Sequence, residues 1–209
     1  MENHEGCCQS SGSEDVQHEF ETYLEFTPNP NSLKFVTNCN LLPESETIYL
    51  RSLDQAQGFG AGEDLLKMDT VDSIMVGRNF VTVTKKNEAS WAELSEAVPA
   101  ILKKRSGEAG QQGGLLKREW LAQWQQKVQA QKGANSEIEQ KISQILDTDI
   151  RPFVAMDGGD IQLERYDDGI VYLKMHGACS HCPSSTATLK HGVERRLKEL
   201  MPEIREVVA

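Results

Sequence analysis

Basic charge is what this chain has too little of: 22 Lys and Arg stand against 32 Asp and Glu, a net charge of −10. That balance argues against general nucleic-acid binding and against anionic membranes, both of which need a basic surface. Long apolar runs are missing too. None comes near the roughly 18 residues of a membrane helix. The first 33 residues hold seven acidic side chains and no Lys or Arg. A transit peptide has the reverse composition, and a signal peptide needs a basic start and an apolar core, which this stretch also lacks. The expected location is cytoplasmic. No internal repeat with a period of roughly 20–50 residues is present, so a solenoid is not expected. Hydrophobic residues make up only 38% and the mean hydropathy is −0.49. Part of the 209 residues should therefore be tail or linker, with room left for one or two domains with real cores.

Cysteines are few and unevenly placed: Cys7, Cys8, Cys39, Cys179 and Cys182. An odd number at irregular spacing does not read as a disulfide framework. Cys7 and Cys8 lie in a polar, acidic stretch rich in Ser, Gly and Gln, residues 1–18, which reads as a disordered tail. They read as incidental, since metal sites need ligands held in geometry. Cys39 stands alone and reads as a small packing residue.

Order should begin near Phe20, in a first domain spanning 19–105. Phe20, Tyr23, Leu24 and Phe26 read as extended. Thr27-Pro28-Asn29-Pro30-Asn31 forces a turn. Leu33 to Val36 and Thr47 to Leu50 read as strands, Ala61 to Met68 as a short helix, and Val71 to Val76 with Asn79 to Thr84 as a hairpin. Trp91, Leu94, Val98, Ile101 and Leu102 recur at helical spacing, with Pro99 set to kink or divide that helix. A linker of 106–135 follows. It opens with a Gly-rich flexible break at 106–114 and carries an amphipathic helix with Trp120, Leu121, Trp124 and Val128. That helix is expected to dock on a neighbouring domain, the sharper alternative being a partner-recognition helix.

The second domain, 136–209, opens on a capping box, Ser136-x-x-Glu139. Ile138, Ile142, Ile145 and Leu146 make its buried stripe, and Pro152 marks a break or kink. Strands at Ile161 to Leu163 and Gly169 to Met175 flank the turn Asp167-Asp168-Gly169. A helix from Ser184 to Leu200 and a short strand at Ile204 to Val208 close the chain. The fold class expected is α+β: two small α/β domains joined by a flexible, partly helical linker. In the second, a small sheet packs on helices, with a Cys-x-x-Cys loop between strand and helix.

That loop is Gly177-Ala178-Cys179-Ser180-His181-Cys182-Pro183. Two thiolates here could serve a disulfide, a zinc ion or an iron-sulfur cluster. Two inert buried cysteines are the bland reading. Small polar neighbours and a following helix N-terminus, whose dipole favours thiolate, argue against it. A thioredoxin-like redox pair needs a longer alternating α/β pattern around the motif. A zinc ion needs four ligands, which His176, His181 and His191 do not complete at finger spacing. His181 reads as pointing away and His191 as exposed. An iron-sulfur cluster also needs four thiolates, and two copies of the domain would supply them from Cys179 and Cys182 of each. Transfer from such a site calls for a solvent-accessible loop. Lys190, Arg195, Arg196 and Lys198 on the next helix form either a positive rim for the cluster or an ordinary solvated face.

Ile150-Arg151-Pro152-Phe153-Val154, Asp157-Gly158-Gly159-Asp160, the loop from Gly177 to Ser185 and Thr188-Leu189-Lys190 closely resemble the C-terminal domain of NifU and the Nfu iron-sulfur proteins. The likeness runs from about 137 to 208. Thr27 to Phe35 and Phe80 to Lys85, followed by Trp91, resemble the N-terminal domain that often precedes it. The resemblance implies a non-catalytic iron-sulfur cluster scaffold or carrier. Cys179 and Cys182 would be the cluster and metal ligands. The cargo would be a 4Fe-4S cluster, or alternatively 2Fe-2S, bridging two chains. Expected partners are a second copy, apoprotein clients and assembly factors, with neither nucleic acid nor membrane. The N-terminal domain would dock clients or assembly factors. A zinc-binding adaptor or a thiol-disulfide redox protein is the alternative.

Overall fold

The computed structural model describes residues 20–43, 46–108, 115–116, 118–131, 136–180 and 186–209. The expectations for the tail, for Cys7 and Cys8, and for His181, Cys182 and Pro183 fall outside the described residues. The protein is mixed α+β, and its described residues form one five-stranded and one three-stranded sheet.

The N-terminal sheet is antiparallel, in the order β1 (Thr22–Phe26), β2 (Ser32–Thr37), β5 (Phe80–Lys85), β4 (Val71–Val76), β3 (Ile48–Leu50). Strand residues alternate between faces. Leu33, Phe35, Ile48, Leu50, Ile74, Val76, Val81 and Val83 turn to one side, in a core with Leu94, Val98 and Leu102. Helices α1 (Leu53–Ala56), α2 (Gly60–Leu66) and α3 (Trp91–Glu108) belong to this half. Pro99 lies inside α3, which continues past it. The helix also runs to Glu108, so the start of the expected break at 106–114 is helical; the good helix formers Lys103, Lys104 and Arg105 carry it on.

Helix α4 (Arg118–Gln131) docks on the same core. Trp120 is buried, stacks on Trp124 at 5.6 Å between ring centroids, and donates its Nε1–H to the Gln57 carbonyl at 2.7 Å. The docking reading of this helix is the one the contacts support. Cys39 sits at the rim of the core and is disulfide-bonded, so packing alone does not describe it.

The C-terminal half begins with α5 (Glu137–Ile145), whose capping box is present in full. A π-helical turn, Leu146–Ile150, leads directly into α6 (Arg151–Met156). Pro152 falls in the first turn of α6, where its missing N–H costs no hydrogen bond. The chain therefore changes helix type just before Pro152. Strands β6 (Gly159–Asp167) and β7 (Ile170–Gly177) form a hairpin, and β8 (Glu206–Val208) lies parallel to β7. Asp168 and Gly169 both have positive φ, as a two-residue hairpin turn of this hand requires. Helix α7 (Thr186–Leu200) covers the sheet, with Val193 and Leu197 buried against Ile142, Leu146, Ile161 and Val207.

The second face of the N-terminal sheet is covered at its centre, while Tyr23 on β1 stays exposed. Val36, Met75 and Phe80 are buried there and pack with Tyr49 and with Ala155 of α6. This face rests on the C-terminal half, next to the loop that follows β7.

Candidate functional site

Cys179 lies two residues past the end of β7, in the connection to α7. A tight turn shapes its approach. Ala178 N donates to the Gly158 carbonyl at 3.1 Å, Cys179 N to His176 O at 3.3 Å, and Ser180 N to Gly177 O at 3.0 Å. The Ser180 hydroxyl donates to Met175 O at 3.0 Å. Gly177 has φ +60, and a Cβ there would stand 2.6 Å from the Gly158 oxygen. Only glycine fits both demands. Gly159 is paired with Gly177 across the hairpin, and a Cβ on it would stand 2.3 Å from Cys179 Sγ. The sulfur thus lies directly on the bare backbone of Gly159.

Cys179 is present as a thiol and is only 7% exposed. In the described part of the loop this corrects the expectation of solvent access, since Ala178 and Ser180 are buried too. The residue belongs to the C-terminal core, where Gly159 leaves a space that sulfur fills. Cys182, its partner in the motif, lies outside the described residues.

Of the histidines, His191 is exposed on α7, as expected. His176 is buried, with its ring tilted against Tyr49 at 4.3 Å between centroids. Burial pulls its pKa down to about 4, against the pull of the Asp160 charge, so the imidazole is neutral near pH 7. Among the described residues no group of three or more His, Cys, Asp or Glu could hold a metal ion. The basic residues of α7 are largely paired. Arg195 meets Glu199 at 3.3 Å, Arg196 meets Asp149 at 2.7 Å, and Lys198 meets Glu194. Those pairs favour the solvated-face reading over the positive rim.

A second set of residues around the loop makes contacts that the sequence motifs did not disclose. Asp160, 2% exposed, accepts a forked pair of bonds from Arg151 at 2.7 and 2.9 Å and the Thr47 hydroxyl at 2.5 Å. Burial alone would disfavour the Arg151 charge; the bonds and charge of Asp160 outweigh it and hold the guanidinium more firmly protonated than usual. The Thr82 hydroxyl donates to Gly158 O at 2.8 Å. Asn29 Nδ2 donates to Ala178 O at 3.1 Å and to Ser180 O at 2.9 Å. Thr47, Thr82 and Asn29 all come from the N-terminal half. Only the asparagine set between two prolines hinted at a special turn.

Comparison with known proteins divides the chain in the same two halves. Residues 22–108 match the family model described as scaffold protein Nfu/NifU N terminal, and 142–208 match that of the NifU-like domain. The chain is 33% identical over 199 residues to a NifU-like protein of Schizosaccharomyces pombe, covering 88% of this chain and 70% of that one. It is 33% identical over 195 residues to the human protein named NFU1 iron-sulfur cluster scaffold homolog, mitochondrial, covering 87% and 68%. The Drosophila willistoni protein of the same name is 35% identical over 188 residues, and the chain spans 60% of its length. Among the described residues no helix is long and apolar enough to cross a membrane.

Proposed function

Because the chain belongs to the Nfu/NifU family of iron-sulfur scaffold proteins, we propose that it carries a 4Fe-4S cluster between two copies of itself and passes it to apoproteins. One observation carries this reading: Cys179 stands in a strand-to-helix connection with Cys182 three residues on, inside the stretch matched to the NifU-like domain. Two thiolates from one chain are half of a four-thiolate set. A second copy supplies the other half, and Cys179 and Cys182 of each chain are the ligands.

The cluster is cargo, and its transfer is ligand exchange. A client thiolate forms a bond to iron as the bond from Cys179 or Cys182 breaks. The proton released by the client thiol goes to the departing cysteine. No electron moves, and no covalent intermediate with the protein forms beyond the iron–sulfur bonds. The role is therefore non-catalytic. Few protein bonds hold such a cargo, which suits a carrier. Assembly factors load it and client apoproteins receive it.

Anaerobic reconstitution with iron and sulfide tests the assignment. Wild type should gain the broad visible absorption of a sulfide-bridged cluster, and Cys179→Ser and Cys182→Ser should each lose it while keeping their circular dichroism. Full cluster content in either variant would overturn the ligand assignment. A colourless wild type holding zinc would favour an adaptor. Iron-independent disulfide reductase activity would favour a redox protein. An absorption spectrum of 2Fe-2S type would change the cargo but not the ligands.

A further inference from the structure

The N-terminal half does more here than stand beside the loop. Asn29 is 2% exposed, and its amide bridges the carbonyls on either side of Cys179. Both acceptors are carbonyl oxygens, so the NH₂ must face them. Its Oδ1 accepts from Asn31 N at 2.9 Å, which fixes the same orientation independently.

The turn that presents Asn29 is stiff. Prolines flank it on both sides. The Thr27 hydroxyl bonds the carbonyls of Asn29 and Ser32 at 3.0 and 2.9 Å, and Trp91 Nε1–H holds Pro30 O at 3.0 Å. The amide thus reaches the loop from a rigid frame, with little entropy left to lose on contact.

Around this point the two halves meet through separate small contacts. Thr82 bonds Gly158 O, and the fully buried Met75 lies against Gly177. Thr47 reaches Asp160, and Lys34 Nζ donates to Met156 O at 3.0 Å. The apolar share is small, centred on Val36, Met75, Phe80, Tyr49 and Ala155. A mixed interface of this kind within one chain suits parts that separate.

Cys179 Sγ lies on Gly159, inside the C-terminal core. To offer that sulfur to iron, the turn 177–180 must rotate outward. Rotation moves the carbonyls of Ala178 and Ser180, and both are held by Asn29.

We propose that the N-terminal sheet is a removable cap on the ligand loop, latched by Asn29, and that Cys179 becomes available for cluster exchange only when this cap lifts. The inference rests on the reading of Cys179 as a ligand. Loading is then a two-stage event, opening followed by pairing with a second opened copy. Anything that binds the face formed by Val36, Met75, Phe80 and Thr82 favours the open form by mass action.

The test uses the full-length apo chain, kept reduced. Iodoacetamide alkylation is followed at Cys179 alone by tandem mass spectrometry. Asn29→Asp keeps the Oδ1 contact to Asn31 N–H but sets an acceptor against two carbonyls. Thr82→Val removes the bond to Gly158 at equal volume. Alkylation of Cys179 should be at least about tenfold faster in Asn29→Asp, and faster again in the double variant. Unchanged urea midpoints of the N-terminal half would show that the variants remain folded. If Asn29→Asp fails to fold, Asn29→Ser and Thr82→Val decide the matter in the same assay. Equal Cys179 rates in wild type and folded variants overturn the cap. Alkylation needs no iron, so its outcome is separate from the cluster reading. Faster alkylation with no cluster on reconstituted wild type sinks the cluster reading and leaves a gated thiol. A cluster on wild type with unaltered alkylation in the variants sinks the cap alone.

Discussion

At the level of single residues, the site is a cysteine and a glycine sharing one space. Cys179 Sγ stands 2.3 Å from the point where any other residue at 159 would place its Cβ. A methyl group there has no room without moving the sulfur or the hairpin. Gly159→Ala should therefore cost about 1–3 kcal/mol, the usual price of overpacking a close-packed site. It should also push the Cys179 side chain outward. Urea unfolding would show a lower midpoint at an unchanged slope; a wild-type midpoint would mean the sulfur has a second resting place. The same scale explains why Cys179 is buried where a solvent-accessible loop is expected. A strand-to-helix loop is ordinarily a surface feature. Nothing in Cys-x-x-Cys says that one sulfur folds back onto a glycine 20 residues earlier.

At the level of elements, helix α5 is tied at its start by a reciprocal cap. Ser136 N donates to Glu139 Oε2 at 2.9 Å and Glu139 N to Ser136 Oγ at 3.3 Å. Glu139 Oε1 also accepts Tyr166 N at 3.3 Å, joining the helix to β6. The bond from Ser136 N–H holds the Glu139 carboxyl below its ordinary range, with burial opposing and Tyr166 N–H assisting. A carboxylate whose folded pKa is lowered adds stability above its unfolded pKa, and this is lost as pH falls through the folded value. Wild type should thus exceed Glu139→Gln in stability near pH 6, and the gap should close at an acid pH that protonates the folded carboxyl. Denaturation under the two conditions checks this; a gap that persists in acid would show that charge is not what the cap uses. This cap was readable from the sequence, because both partners lie within one turn. So were the strands of both sheets, the hairpin at Asp168-Gly169 and the docked helix with Trp120, since each follows from local periodicity or turn chemistry. The π-helical turn Leu146–Ile150 and the short helix Leu53–Ala56 were not. Neither leaves a periodic signature long enough to separate from its surroundings. The bridge from Asn29 to the ligand loop spans about 150 positions, and a single sequence holds no trace of such a pairing.

At the level of the whole molecule, the central strands of the N-terminal sheet are covered on both faces, by their own helices on one and by the C-terminal half on the other, while Tyr23 and Phe26 of β1 stay exposed. The alternation that gives one apolar face to the core leaves Tyr49, Met75, Phe80 and Thr82 for the second. That second face meets the turn that carries Cys179. Native mass spectrometry of the anaerobically reconstituted chain tests the central claim most directly, because one mass reports chains, iron and sulfide together. Two chains with one 4Fe-4S cluster are expected, about two irons per chain. A single chain bearing a complete cluster, or a dimer whose mass includes no iron and sulfide, would contradict that claim.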